Sequence, residues 1–167
     1  MLIVYTGDGK GKTSASVGQA VRAHGRGLMV AFGQFMKRPD QAGEQRVCAA
    51  LFGTRFKAAG PGFLRTAEER PQHVASAKEL LAWAEDLLPT IDLLVLDEAL
   101  YALGSELITR REVESLVETA ERENAHVVLS GRGAPQWLCD RADLVTEMKE
   151  IKHPFTLGHK AVPGIEF

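Results

Sequence analysis

Gly7-Asp8-Gly9-Lys10-Gly11-Lys12-Thr13 follows the apolar run Leu2-Ile3-Val4-Tyr5 and precedes a segment with helical periodicity. A strand, a glycine-rich loop and a helix in this order form a phosphate cradle, because loop N–H groups and the positive helix end point at one place. Lys12 adds a full positive charge. The stretch therefore predicts an α/β fold that binds a polyphosphate, and the expected ligand is ATP.

The loop is one residue shorter than the common phosphate-loop pattern. That pattern, G-x-x-x-x-G-K-[ST], would require a glycine at position 6, where this chain has Thr6. The shortened loop leaves open which phosphates it contacts.

Composition narrows the class of protein. The chain has 167 residues, of which 45% are hydrophobic, and this predicts one domain over 1–167. The net charge of −2, without a lysine or arginine run, argues against nucleic-acid binding. No apolar stretch is long enough to span a membrane, and no basic leader precedes the first strand, so we expect a soluble, cytoplasmic protein. Cys48 and Cys139 lack the spacing of a zinc site and are expected to be free thiols.

Hydrophobic periodicity predicts strands that alternate with helices. The first helix should bury a stripe of Val17, Ala20, Val21 and His24, and Thr109 with Glu112 forms a capping box for a later helix. Pro89 should end a long amphipathic helix, and Pro135 should open a short one. The apolar stripe of the long helix is Ala77, Leu80, Leu81, Ala84 and Leu88. The other predicted elements are strands at 2–5, 28–32, 55–59, 93–96, 126–129 and 144–151 and a helix at 43–52. Together they indicate a three-layer α/β fold around a mostly parallel sheet of about six strands.

Four segments follow strands and should therefore meet at one edge of the sheet, where ligands of open α/β sheets bind. They are Gly7–Thr13, Gln34–Lys37, Asp97-Glu98 and Gly131–Gly133.

Asp97-Glu98 follows four apolar residues, which is typical of a Walker B segment. Thr13 and one of these carboxylates are candidate Mg²⁺ ligands beside the phosphates, and a helix cap is the alternative role for one of them. Arg132 lies between two glycines and is a candidate partner for phosphate oxygens, with a structural salt bridge as the alternative.

Phe63 lies on an irregular Gly-Pro-Gly loop at residues 59–65. It either covers a flat apolar ligand or anchors the loop in the core. The chain shows no nucleophile and base in a known catalytic pattern. We therefore expect the second substrate to bring the attacking group.

The combined motifs resemble the BtuR/CobO/CobP family of ATP:corrinoid adenosyltransferases over essentially the whole chain. The resemblance is carried by residues 6–13, 34–37 with Gly43-Glu44, Gly62-Phe63, 95–101, 130–133, 142–147 and the tail 152–167. It implies a P-loop NTPase-like (RecA-like) domain in which the Co(I) of a reduced corrinoid attacks the 5′ carbon of ATP. A cobalt–carbon bond forms and triphosphate leaves. The corrinoid could be cobalamin, cobinamide or cobyrinic acid a,c-diamide.

The resemblance also implies roles for individual residues. Lys12, Phe63 and Glu98 would be catalytic, with Lys12 and Lys10 neutralising the triphosphate and Phe63 pressing on the lower corrin face to leave four-coordinate cobalt. Thr13, Asp97 and Glu98 would hold Mg²⁺. The candidate binding residues for ATP and the corrinoid are Gly7, Asp8, Gly9, Lys10, Gly11, Lys12, Thr13, Ser14, Gln34, Lys37, Phe63, Arg65, Arg132 and Lys160. The expected partners are a reductant or reductase that supplies Co(I) and a second copy in a homodimer.

The chain departs from the family pattern in two places. A well-studied branch has tryptophan where this chain has Arg65, and we hypothesise that Arg65 contacts an amide or carboxylate of the corrin. That branch also carries an N-terminal extension over the active site, whereas here the first strand begins at Leu2. We therefore expect a more open site or cover from another segment.

Two other classes of function are compatible with the motifs. A phosphate-loop kinase or ATPase would direct a hydroxyl group or water at the terminal phosphate, although no lid segment is recognisable in the sequence. A non-catalytic nucleotide-binding module, such as a corrinoid carrier, would show no turnover.

Overall fold

The structure is a computed structural model that describes residues 1–166, except for the side chains of Phe155 and Leu157. Phe167, the last residue of the tail that carries the resemblance, lies outside the described residues. Within them, six parallel strands form one sheet in the order β3-β2-β4-β5-β1-β6. The strands are β1 (Leu2–Thr6), β2 (Val30–Phe35), β3 (Phe56–Ala59), β4 (Leu93–Asp97), β5 (His126–Ser130) and β6 (Leu144–Glu147).

Helices cover both faces of this sheet, which confirms the predicted three-layer α/β architecture. They are α1 (Lys12–Gly25), α2 (Gly43–Phe52), α3 (Arg70–Leu87), α4 (Ala99–Gly104), α5 (Arg110–Arg122) and α6 (Gln136–Arg141). Alternate strand residues enter two separate cores: Ile3 packs with side chains of α1 and α2, whereas Val4 packs with those of α3 to α6. Strands buried on both faces explain the near-continuous apolar runs in the sequence.

The helices predicted from short sequence motifs are confirmed. Thr109 is the N-cap of α5, where its Oγ1 accepts a hydrogen bond from Glu112 N (3.3 Å) and its N–H donates to Glu112 Oε2 (2.8 Å). The predicted 43–52 helix is α2, and the short helix after Pro135 is α6.

Cys48 and Cys139 are free, and burial raises the pKa of the Cys48 thiol to about 12. No helix among residues 1–166 is both long and apolar enough to cross a bilayer.

Three predicted details are wrong. The first strand after α1 begins at Val30 rather than Leu28 and runs on to Phe35, because Gln34 pairs with Asp97 of β4 and Phe35 with Ala59 of β3. The last strand ends at Glu147 rather than at residue 151. Val21 is 42% exposed, because α1 buries the smaller side chains of Ser16, Ala20 and Ala23 against the sheet. The sequence pattern did not predict the short helix α4, which begins directly after the Asp97-Glu98 pair.

Candidate active site

A cavity of about 810 Å³ lies at the carboxyl edge of the sheet. Most of the predicted site residues line it, as expected from the parallel strand order. They are Asp8, Gly9, Lys10, Gly11, Lys12, Thr13, Ser14, Lys37, Phe63, Glu98 and Arg132. Five predicted residues are not among the residues that line it, namely Gly7, Gln34, Arg65, Asp97 and Lys160.

Lys12 is the first residue of α1, and the loop holds its ammonium group at the cavity wall. Nζ donates to the carbonyl oxygens of Gly7 and Gly9, each at 2.7 Å. Burial, with the nearby positive charge of Arg132, lowers the pKa of Lys12 from its usual value. A polyphosphate beside this side chain would offset both effects, because an opposite charge favours the protonated form.

Two glycines of the loop are required by the packing of the chain itself. A Cβ on Gly7, whose φ is +100°, would lie 2.4 Å from the carbonyl oxygen of Met148. Gly9 N donates to that same oxygen at 2.7 Å, and Met148 N donates to Thr6 O at 2.8 Å. The chain after β6 therefore packs directly on the phosphate loop, which explains why β6 ends so early.

Asp97 is fully buried behind the cavity wall and organises the polar groups around it. Its carboxylate accepts hydrogen bonds from Ser130 Oγ (2.6 Å), from Gln34 Nε2 (3.1 Å) and from Thr13 Oγ1, which lies 3.1 Å from both carboxylate oxygens. Lys37 Nζ lies 3.3 Å away. Gln34, a predicted binding residue, is itself fully buried and supports this carboxylate.

Lys37 joins Asp97 to Glu44, a residue of α2 that also lines the cavity. Nζ donates to Glu44 Oε1 at 3.0 Å. Burial alone would lower the pKa of Lys37, but the two carboxylates outweigh it and raise the pKa. The same ion pair lowers the pKa of Glu44 in spite of the opposing effect of burial. Lys37 and Glu44 are therefore both held in their charged forms.

Glu98 adopts a left-handed backbone conformation, with φ of 59°, at the N-cap position of α4. Its side chain makes no cap hydrogen bond, so helix capping does not explain this carboxylate. It lines the cavity, and burial together with the charge of Asp97 raises its pKa. A nearby cation would lower the free energy of the ionised form.

These oxygen donors fit the chemistry of Mg²⁺, which prefers hydroxyl and carboxylate oxygens together with substrate phosphates. The hydroxyl of Thr13 and the carboxylates of Asp97 and Glu98 are brought together at the phosphate loop. No group of three or more His, Cys, Asp or Glu side chains suited to a metal occurs among residues 1–166.

Arg132 pairs with Asp8 across the cavity mouth at 3.6 Å, and both side chains are exposed. The salt bridge that was the alternative role is present. It does not exclude phosphate contact, because an exposed pair is weak and screened and because Arg132 also lines the cavity.

Phe63 lies at the same cavity as the phosphate loop and is 67% exposed. Its ring contacts Tyr101 edge to face, with centroids 6.1 Å apart. The neighbouring Leu64, and not Phe63, packs against the core. The loop-anchor alternative for Phe63 is therefore wrong, whereas Tyr101 is a lining residue that the site prediction missed.

Residues near the C-terminus also line the cavity, which the site prediction did not include. They are His153, Gly164, Ile165 and Glu166. The resemblance had already drawn attention to this tail, and these residues contribute to the cavity wall. Arg65 and Lys160 are exposed to solvent and do not line the cavity. The backbone N–H of Arg65 donates to Glu69 Oε2 at 2.9 Å.

Comparison with known proteins places these observations in a family. The family model for ATP:corrinoid adenosyltransferase BtuR/CobO/CobP matches residues 1–167. A corrinoid adenosyltransferase from Sinorhizobium sp is 37% identical over 171 residues, spanning 100% of this chain and 80% of the relative. Corrinoid adenosyltransferase CobA from Salmonella typhimurium is 34% identical over 169 residues, spanning 100% and 85%. A solved structure of a DNA replication initiation factor covers 88% of this chain and 39% of its own, at 15% identity and a TM-score of 0.46. That likeness is too distant to bear on function.

Proposed function

The chain belongs to the ATP:corrinoid adenosyltransferase family BtuR/CobO/CobP, and on this premise we propose how its cavity transfers adenosyl groups from ATP to a reduced corrinoid. The observation that carries the proposal is that the phosphate loop and the exposed Phe63 line the same cavity. One end of that cavity suits a triphosphate and the other a flat apolar ring. The kinase or ATPase alternative is not favoured by the relatives.

The proposed reaction is a displacement at carbon. The cobalt electron pair forms a bond to the 5′ carbon of ATP, while the bond from that carbon to oxygen breaks and its electrons leave on triphosphate. Lys12 and Lys10 stabilise the negative charge that develops on the leaving group, as preorganised donors do in acyl- and phosphoryl-transfer enzymes. Lys12 is suited to this because two loop carbonyls hold its ammonium group in place.

We assign Mg²⁺ to Thr13 with Asp97 and Glu98. When bound, the ion supplies charge neutralisation to the triphosphate. Ser130 and Gln34 orient the Asp97 carboxylate through hydrogen bonds of 2.6 and 3.1 Å. Lys37 Nζ lies 3.3 Å from Asp97 Oδ2 and places a positive charge beside that carboxylate.

Phe63 is proposed to contact the lower face of the corrin ring. An aromatic side chain that is exposed at a cavity wall offers a flat apolar surface that excludes a lower axial ligand from cobalt. Four-coordinate cobalt is the easier form to reduce to Co(I). Arg132 would complete the phosphate end, and Arg65 would reach a polar group at the corrin edge.

The remaining expectations complete the proposal. Residues 1–167 form a single nucleotide-binding domain, the protein acts in the cytoplasm, and it forms a homodimer. A separate reductant or reductase supplies the electron that forms Co(I).

Product analysis under anaerobic conditions tests this function. Purified protein is mixed with chemically reduced cobalamin, ATP and Mg²⁺, and the corrin spectrum and phosphate products are followed, with a protein-free mixture as the control. Light-sensitive adenosylcobalamin formed with one equivalent of triphosphate is expected. ADP or inorganic phosphate without a cobalt–carbon bond would contradict the proposal and indicate a kinase or ATPase.

A further inference from the structure

We propose that Arg38 is a positioning residue that fixes the Phe63 loop, residues 60–63, above the cavity. The inference rests on the proposed function for the identity of the substrate. Arg38 follows β2 and is exposed, and neither the site prediction nor the motifs of the resemblance include it. It is not among the cavity-lining residues, so its effect on the reaction must pass through the loop.

The side chain of Arg38 holds the loop by a direct hydrogen bond. Nε donates to the carbonyl oxygen of Pro61 at 2.5 Å. The guanidinium group also lies over Gly62, whose φ is +106°, and a Cβ there would be 3.3 Å from Nε and 3.6 Å from Nη2. Arg38 and the loop backbone are therefore in close contact two residues before Phe63.

The backbone of Arg38 is fixed from the opposite side. Gln45 of α2 is 2% exposed, and its Nε2 donates to Arg38 O at 3.1 Å and to Gln34 Oε1 at 3.1 Å. Gln34 Nε2 in turn donates to Asp97 at 3.1 Å. A continuous chain of hydrogen bonds thus runs from the buried carboxylate behind the phosphate loop to Pro61. The Gln45–Gln34 and Gln34–Asp97 hydrogen bonds are buried, and buried, satisfied networks are rigid.

Phe63 needs this support because its own contacts are few. The ring is mostly exposed and contacts Tyr101 at its edge. The loop start is also fixed, since a Cβ on Gly60 would be 2.7 Å from Met36 Cα. Among the described residues, Arg38 is the one whose side chain makes a hydrogen bond to the loop between Gly60 and Leu64. Loss of it should leave Phe63 in place less of the time without altering the phosphate end.

The test compares Arg38→Met with Arg46→Met, a matched change at an exposed arginine of α2. Arg38→Met should lower kcat/KM about fivefold with cobalamin, which has a lower axial ligand, as expected for one lost hydrogen bond. With cobinamide, which lacks that ligand, the loss should be under about twofold, and KM for ATP should stay unchanged. Arg38→Lys, which keeps one donor, should recover part of the loss.

A double-mutant cycle separates positioning from direct substrate contact. If Arg38 acts through Phe63, then adding Arg38→Met to Phe63→Ala should cause no further loss of cobalamin activity. Losses that add in full, or an Arg38→Met enzyme that behaves like Arg46→Met, would overturn the proposal.

The rate of trypsin cleavage after Arg65 reports how often the loop opens, without any activity measurement. Trypsin does not cut after Arg38, because Pro39 follows it, whereas Arg46→Met removes one cleavage site, so the rate is measured for the bond after Arg65 alone. Arg38→Met should be cut after Arg65 about fivefold faster than Arg46→Met, because cleavage follows the population of the opened loop. Equal rates would overturn the positioning role. If the unaltered protein adenosylates neither corrinoid, the proposed function fails, and the cleavage rates alone decide the role of Arg38.

Discussion

The two ends of the cavity are built in different ways. The phosphate end, residues 8–14 with the carboxylates behind them, is held by buried groups: Lys12 is 8% exposed and Asp97 is fully buried. The aromatic end, Phe63, Tyr101 and Ile165, lies on irregular or short segments, and Phe63 and Ile165 are 67% and 62% exposed. Hydrogen bonds fix the first end, whereas edge contacts and one arginine hold the second.

This difference matches what each end has to do. Charge on a leaving triphosphate is best stabilised by groups that are already in position, because they need no reorganisation during the reaction. A large ring that must enter and leave is better served by a wall that can shift, and such walls are drawn from the less stable parts of a fold. Substitutions at the two ends should therefore differ in how they change kcat/KM and in how that change depends on the corrinoid.

The largest effect is expected at the phosphate end, from Lys12→Ala. Removal of one preorganised cation should cost about 3 kcal/mol of transition-state stabilisation, seen as a loss of kcat/KM of more than about a hundredfold. The measurement is the anaerobic rate of adenosylcobalamin formation. Lys57→Ala is the matched control, because that lysine pairs with Glu79 away from the cavity. Turnover close to that of the unaltered protein would refute the role of Lys12.

A smaller and substrate-dependent effect is expected at the aromatic end, from Phe63→Ala. Loss of the ring should lower kcat/KM about tenfold more with cobalamin than with cobinamide, because only cobalamin has a lower ligand to exclude. The melting temperature should hardly change, since an exposed side chain contributes little to the core. Equal losses with both corrinoids would show that Phe63 has no part in excluding the ligand.

Glu98→Gln should reveal a stability cost at the phosphate end. The pKa of Glu98 is raised in the folded protein, so the ionised form destabilises the fold at neutral pH, and this cost is absent below the unfolded pKa. The variant should melt about 2 °C higher at pH 7, and the gain should shrink as the pH falls through the raised pKa. Activity should drop as stability rises.

Thermal unfolding measured across pH 4 to 8 checks this, with the exposed Glu123→Gln as the control. A variant that melts at the same temperature as the unaltered protein at pH 7, or lower, would be inconsistent with a carboxylate whose ionised form is disfavoured by burial and by Asp97.

The smallest effect is expected from Arg65→Ala, at the edge of the aromatic end. The side chain is exposed and lies outside the cavity lining. A solvent-screened contact with a corrin amide or carboxylate should raise the corrinoid KM about twofold and leave KM for ATP unchanged. Steady-state kinetics with varied corrinoid measure this, and an unchanged corrinoid KM would remove Arg65 from the site.

Local patterns predicted the phosphate end well. The glycine-rich loop, the capping box at Thr109 and the strand before Asp97 are each set by residues close together in sequence, and the structure confirms these elements. The position of Gln34 was not predictable in this way, because its burial follows from pairing with Asp97, which is 63 residues away.

The residues of the aromatic end were harder to predict from the sequence, because contacts between distant segments bring them to the cavity. Tyr101 reaches the cavity because Gly131 lets α4 approach closely: a Cβ there would be 3.0 Å from Tyr101 N. The tail residues Ile165 and Glu166 reach it through packing between distant segments. None of these placements leaves a periodic signal, and only the resemblance pointed to the tail.

The most direct test of this two-ended account is a crystal structure of the protein with ATP, Mg²⁺ and cob(II)alamin, which lacks the electron needed for the reaction. We expect the triphosphate on residues 8–14, the lower corrin face against Phe63, and the 5′ carbon of ATP directed at cobalt. A corrin ring bound away from Phe63, or a ribose directed out of the cavity, would contradict the account.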